Sequence, residues 1–367
     1  MNVEINNYKN INIFNEINRL LNKILKCKCN LLYVSSPGSS PSKVYMFKDK
    51  NDNMYAVKVC DVRYSRVSLF KEVDNMKHLL PFLKEHLPKI IYIGKIKNYE
   101  IMVTQCFGID NFYNSIISAK KPIKIYLNIW ENILFELMSM WKNSINVKYS
   151  ADKNPRNNVQ RFLRIKTGVL GTTYNGYNIN SIKNMVIQIN GIEYISLEDT
   201  FNEINKIKTP DFGITCHGDP QPSNIIVSDA NWYFVDWEWS GENHDLRQMF
   251  SHIYGWWATR MINQKDIPTF EVKNNKLIIN YKLYKNDIVD SFQIISKNML
   301  NSFFDLKEDD VDDINRFLSL LYLGDIRFLN IWERQYYLPI LIGEAVKTIC
   351  FIQNKKEKLN KNFTYNG

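Results

Sequence analysis

No apolar run in this 367-residue chain approaches the roughly 20 residues a helix needs to cross a bilayer. Residues 1–7 also lack the charged-then-apolar pattern of a secretory signal. Neither a membrane partner nor export is expected. Cysteine is sparse: Cys27, Cys29, Cys60, Cys106, Cys216 and Cys350 are scattered and mostly embedded in apolar stretches. That is the setting of buried reduced thiols, and the isolated Cys27-Lys28-Cys29 is too small a group for a metal site. Dense basic clusters are missing too, although the net charge is +9 and the pI about 9.0. The excess follows from a composition crowded with Lys, Asn and Ile, which an AT-rich genome produces without a binding role. With no nucleic-acid motif present, a nucleic-acid partner is not expected. These absences together suit a cytoplasmic enzyme. The length is generous for one domain and suits two lobes.

The most informative segment runs from Cys216 to Glu238. It reads H-G-D-x-x-x-x-N (His217, Gly218, Asp219, Asn224), then an apolar strand, a bend, a second strand and Asp236-Trp237-Glu238. Each polar residue suits phosphoryl transfer. Asp219 is placed to accept the proton of an attacking hydroxyl. Asn224 and Asp236, carried on the two arms of a hairpin, are placed to hold Mg2+ against nucleotide phosphates.

This pattern resembles the aminoglycoside and choline kinase branch of the protein-kinase-like fold. Protein kinases proper carry H-R-D and D-F-G at these places, whereas the small-molecule branch carries H-x-D, often H-G-D, and D-F or D-W followed by an acid. No A-P-E segment follows Asp236. The resemblance covers roughly residues 30 to 255. It implies an α+β, protein-kinase-like two-lobe fold, with a small antiparallel-sheet N-lobe over 1–106 and a larger, mainly helical C-lobe over 107–367. It also implies ATP and Mg2+ as cofactors and a small molecule with a hydroxyl as acceptor.

Several N-terminal residues extend the resemblance. Strands at 31–34 and 43–47 flank a Ser/Gly/Pro loop, in which Gly38, Ser39 and Ser40 would bring backbone N–H groups close to phosphate oxygens. The loop lacks G-x-G-x-x-G and is similar to the G-S-S-N loop of aminoglycoside kinases, with Pro41-Ser42 where that pattern has its Asn. The strand at 54–59 carries Lys58 opposite Val57 and Val59; the resemblance implies that it contacts the α and β phosphates. A helical spacing follows Arg66, with apolar residues at 69, 73, 76, 79 and 80. Glu72 sits in its middle, where the family places the partner of the Lys. Lys58 and Asp236 should therefore meet. Strands at 90–94 and 100–105 lead to a break resembling the hinge, where backbone groups of Gln105 to Phe107 would meet adenine.

In the larger part, apolar residues at 126, 129, 130, 133, 134, 137, 138 and 141 predict a long core helix. Asn190-Gly191 lies between alternating runs and predicts a hairpin over 185–195, and a second hairpin is expected at 270–279. Both read as insertions near the mouth of the site. Asp245 matches a residue that in this family braces the catalytic loop. Glu238, Trp239 and Trp256, with Glu242 nearby, suit an ammonium-bearing acceptor through charge pairing and cation–π contact. An amino alcohol or amino sugar is favoured; a neutral sugar or macrolide, a protein kinase and a non-catalytic binding module stay open.

Overall fold

The computed structural model describes residues 9–34, 42–63, 68–118, 121–145, 147–154, 158–228, 231–258, 267–283, 287–330 and 334–364. The chain forms two compact units. One comprises Met1–Lys120 with Pro222–Glu238, the other Lys121–Gln221 with Trp239–Gly367.

The first unit is built on a five-stranded antiparallel sheet. Its order is Cys29–Val34, Lys43–Asp49, Met54–Asp61, Tyr99–Cys106 and Ile90–Ile96. Alternation sends Tyr45, Phe47, Val57, Val59, Ile101 and Val103 to one face, where they form a buried cluster. The helix Lys9–Leu25 covers that face with Ile17 and Leu21, one turn apart. This helix lies outside the region read from the sequence. Burying each such side chain contributes about 1.5–3 kcal/mol.

The helix expected after Arg66 spans Leu69–Lys77, and a short helix Leu80–Leu83 follows with Pro81 in its first turn. Ser68 caps the first helix. The buried Glu100, on the neighbouring strand, accepts from Ser68 Oγ at 2.8 Å and from the Leu69 N–H at 2.7 Å. A carboxylate at a helix N-terminus meets the unpaired N–H groups and the positive end of the dipole. The sheet thus anchors the helix that carries Glu72. This unit also holds the hairpin Ile225–Ser228/Asn231–Phe234.

In the second unit, the long helix Ile123–Asn143 buries all eight apolar positions picked out by the periodicity, and Met140 besides. Helices Asn158–Leu170, Leu246–Ala258, Asp287–Phe303, Glu308–Asp325 and Leu338–Thr364 complete a mainly helical body. The two expected hairpins become one four-stranded sheet, ordered Ile192–Tyr194, Val186–Ile189, Lys276–Asn280 and Thr269–Lys273. Its central pair is parallel, with Ile187 opposite Leu277 and Ile189 opposite Ile279. All four side chains enter the core cluster that includes Ile342 and Val346 of the last helix. Among the described residues, no helix is long and apolar enough to cross a membrane.

Asn190 joins the two hairpins. Its φ is 48°, in the left-handed region. Its amide Nδ2 donates to the Tyr281 carbonyl at 2.9 Å, and its Oδ1 accepts from the Tyr281 N–H at 3.0 Å. Asn190→Gly keeps the backbone conformation and loses two hydrogen bonds. Asn190→Ala adds the strain of a Cβ at positive φ, about 1–2 kcal/mol. Thermal melting should rank wild type above Asn190→Gly and Asn190→Gly above Asn190→Ala; equal midpoints for wild type and Asn190→Ala would contradict this staple.

Candidate active site

Lys58, Glu72 and Asp236 meet in the first unit. Lys58 pairs in register with Val44 and Met102 in the middle of the sheet, while Val57 and Val59 point into the core. Its Nζ lies 2.9 and 2.8 Å from the two oxygens of Glu72 and 2.7 Å from Asp236 Oδ1. The Glu72 side chain is 3% exposed, that of Lys58 15% and that of Asp236 37%. Glu72 also accepts from the Trp237 N–H at 3.2 Å, so it fixes both the Lys and the backbone next to Asp236. Asn75, on the same helix, donates to the Glu238 carbonyl at 2.9 Å.

Burial opposes the charge on Lys58, but the carboxylates of Asp236 and Glu72 outweigh it and push its pKa above the ordinary lysine value. The Lys is an ammonium at any physiological pH. One ammonium faces two carboxyl groups; burial pushes the pKa of the Glu72 carboxyl up, and the more accessible carboxylate is Asp236. Asp236 also has φ of 66°, in the left-handed region that costs most residues with a side chain some strain and that Asn, Asp and His enter most readily. Such strain persists only where the surroundings enforce it, as the Glu72 and Asn75 contacts with residues 237 and 238 do here.

Asn224 ends the turn Pro222–Asn224. Ile225 pairs with Phe234, and the Val235 N–H donates to the Asn224 carbonyl at 2.9 Å. Hairpin geometry thereby puts Asn224 and Asp236 at the same end of the two arms. Two aromatic stacks hold the second arm. Trp232 stacks on His86 at 3.6 Å between ring centroids, and Tyr233 on Phe107 at 3.8 Å. Gly108 comes so close to the Val227 carbonyl that a Cβ would lie 3.1 Å from it. The expected hinge is therefore packed directly on the hairpin. Gln105 is exposed, and its N–H donates to the Lys89 carbonyl at 2.9 Å.

Asp219 belongs to the second unit, in the loop after the strand Phe212–Cys216. Gln221 Nε2 donates to Asp219 Oδ2 at 3.1 Å, and His252 Nδ1 lies 3.5 Å from Oδ1. Gly218 has φ of 78°, and a Cβ there would sit 2.1 Å from the Trp239 carbonyl oxygen. This close approach is why the residue before Asp219 is a glycine. His217 is fully buried, and its carbonyl accepts from Ser240 Oγ at 3.0 Å.

Other positions read from the sequence have varied settings. Gly38, Ser39 and Ser40 lie outside the described residues. Glu238 and Trp239 are half-buried and Glu242 is exposed. Trp256 is 6% exposed and packs edge-on against Trp257, 5.0 Å between centroids. Asp245 is fully buried; its carboxylate accepts from the Arg247 backbone and guanidinium, and Arg247 also reaches Asp313. Sequence reasoning missed three contacts: His252 with Asp219, Arg161 with His252 at 3.1 Å, and the Phe107–Tyr233 stack. None lies within a motif, and each joins segments far apart in sequence.

No protein-family model matches the chain, and no curated protein sequence matches it. Solved structures do. Amicoumacin kinase, in complex with AMP-PNP, Ca2+ and Ami, has a TM-score of 0.53 at 11% identity, covering 93% of this chain and 96% of that one. Choline kinase from Cryptosporidium parvum Iowa II gives 0.45 at 11% identity, covering 95% and 97%. Aminoglycoside-3'-phosphotransferase of type VIII gives 0.43 at 14% identity, covering 80% and 93%. The fold is α+β and protein-kinase-like, with an antiparallel-sheet N-terminal region and a helical C-terminal region. The structures it resembles are small-molecule kinases.

Removing one member of a buried ion pair leaves an uncompensated charge, costing about 3–5 kcal/mol when burial is complete. Lys58→Met should lower the melting temperature clearly, and adding Glu72→Gln should recover part of the loss. A Lys58→Met protein as stable as wild type would show that the two carboxylates do not depend on this ammonium.

Proposed function

We propose that this chain is an ATP- and Mg2+-dependent phosphotransferase that passes the γ-phosphoryl group to a hydroxyl of a small molecule. The observation that carries this reading is the Lys58–Glu72–Asp236 cluster, built on a strand, a helix and a hairpin end within a protein-kinase-like fold. The likeness to a kinase solved with AMP-PNP and Ca2+ agrees with it.

The residues fit a divalent cation. Among the described residues, no group of three or more His, Cys, Asp and Glu forms a ready-made metal cage. Mg2+ needs none: it is typically held by one or two carboxylates together with substrate phosphates and waters. Asp236 offers the more accessible carboxylate and Asn224 a neutral amide oxygen. Bound there, Mg2+ would neutralise charge on the β and γ phosphates.

The chain's own residues then have separate tasks. Lys58, held by Glu72, presents a fixed ammonium to the phosphates. Gly38, Ser39 and Ser40 supply backbone N–H groups, and the Gln105–Phe107 backbone meets the base. The segment to residue 106 thus clamps the nucleotide, and residues from 107 onward carry the catalytic loop and the acceptor. Asp219 accepts the acceptor's hydroxyl proton as the new O–P bond forms and the bond to the ADP oxygen breaks. Little covalent chemistry is asked of the protein; positioning and charge stabilisation carry the rate. For the acceptor we favour an amine-bearing alcohol or sugar, with Glu238, Trp239 and Trp256 as candidate partners for its ammonium.

The test is product mass after incubation with ATP, Mg2+ and pooled choline, ethanolamine, aminoglycosides, macrolides and sugars. A phosphorylated amine is the expected product. A phosphorylated neutral sugar with no amine-bearing acceptor turned over would overturn the acceptor choice, and no product from any pool would count against the kinase reading. Asp219→Asn should retain ATP binding and lose about 10²- to 10⁴-fold in transfer, the usual worth of a general base. His217→Asn should cost less, because the buried His217 braces the loop. A reversal of that order would refute the roles given to the loop.

A further inference from the structure

We propose that Arg161 and His252 form a positioning relay behind Asp219: Arg161 fixes the tautomer of His252, and His252 holds the carboxylate. The inference rests on the reading of Asp219 as the base.

His252 lies on the helix Leu246–Ala258 and is 5% exposed. One of its ring nitrogens, Nε2, lies 3.1 Å from an Arg161 guanidinium nitrogen. The other, Nδ1, lies 3.5 Å from Asp219 Oδ1. A guanidinium has only N–H donors and does not deprotonate in proteins. A ring nitrogen facing it at hydrogen-bonding distance presents a lone pair. A neutral imidazole that accepts at Nε2 carries its proton at Nδ1, which is the nitrogen turned to Asp219.

The carboxylate is therefore held at both oxygens, with Gln221 donating to Oδ2 and the His252 Nδ1–H directed at Oδ1. Two donors on two oxygens fix its rotation about the Cβ–Cγ bond. The 3.5 Å approach is long, as contacts to a base often are before substrate is bound. Arg161 serves a second purpose: a second proton on the ring would set an N–H against the guanidinium. His252 thus stays a neutral donor and does not become a cation competing for Asp219.

Two measurements on the full chain test the relay. The first needs no activity. With 15N-labelled histidine, long-range 1H–15N correlation distinguishes the tautomers, and the five histidines are sorted by which signal His252→Asn removes. His252 should appear as the Nδ1–H tautomer in the wild type and lose that bias in Arg161→Met. An Nε2–H or doubly protonated ring at neutral pH, or a tautomer indifferent to Arg161→Met, would overturn the proposal.

The second measurement is kinetic. The Asn side-chain nitrogen occupies the place of Nδ1, so His252→Asn keeps the donor and His252→Leu removes it. His252→Leu should lose about 10- to 100-fold in kcat with the nucleotide KM unchanged, the range typical of a group that orients another, while His252→Asn stays within a few-fold of wild type. Equal losses in both variants, tracking their melting temperatures, would mean that His252 only packs. If the wild type transfers phosphate to no acceptor, the functional reading fails while the tautomer still decides whether the relay exists.

Discussion

One ammonium shared by two carboxylates organises the first unit. Lys58 comes from the middle of a sheet, Glu72 from a helix and Asp236 from the end of a hairpin reached 178 positions later in the chain. No two of these belong to the same local element, so their meeting fixes the sheet, helix and hairpin against one another. The supporting contacts point the same way. Glu100 ties the helix to the sheet, Asn75 and Glu72 hold the backbone at 237 and 238, and the Phe107–Tyr233 and His86–Trp232 stacks hold the hairpin. The least buried member, Asp236, is also the one with a strained backbone. A protein concerned with stability alone has little use for a carboxylate held accessible at a strained position.

The loop around Asp219 follows a similar economy of parts. Gly218 admits the Trp239 carbonyl where any side chain would collide, and the Ser240 hydroxyl donates to the His217 carbonyl, so the loop's backbone is shaped by contacts with the segment that follows Asp236. Side chains are then left to address the carboxylate itself.

Much of this was legible in the sequence, for a physical reason. The helix at Ile123–Asn143 and the strands of the first sheet write their burial in local periodicity, and Asn190-Gly191 writes a tight turn in its tolerance of positive φ. The H-G-D and D-W-E motifs placed Asp219, Asn224 and Asp236 on a strand–turn–hairpin that the structure contains. What was not legible is non-local. The parallel pairing of Val186–Ile189 with Lys276–Asn280 joins segments some ninety residues apart through alternating apolar faces that fit either hairpin alone. Arg161 and His252 lie on two different helices and carry no spacing signature. Arg247, held by Asp245, reaches Asp313, 66 positions further along the chain.

The decisive measurement is a calorimetric titration with ATP, in Mg2+ and again with the metal chelated, on the wild type and on Asp236→Ala with its fold checked by circular dichroism. Wild type should bind ATP more tightly with Mg2+, and Asp236→Ala should lose that metal dependence while remaining folded. ATP binding indifferent to Mg2+ in the wild type, or metal dependence unchanged in Asp236→Ala, would contradict the assignment of the Lys58–Glu72–Asp236 cluster as a metal–nucleotide site.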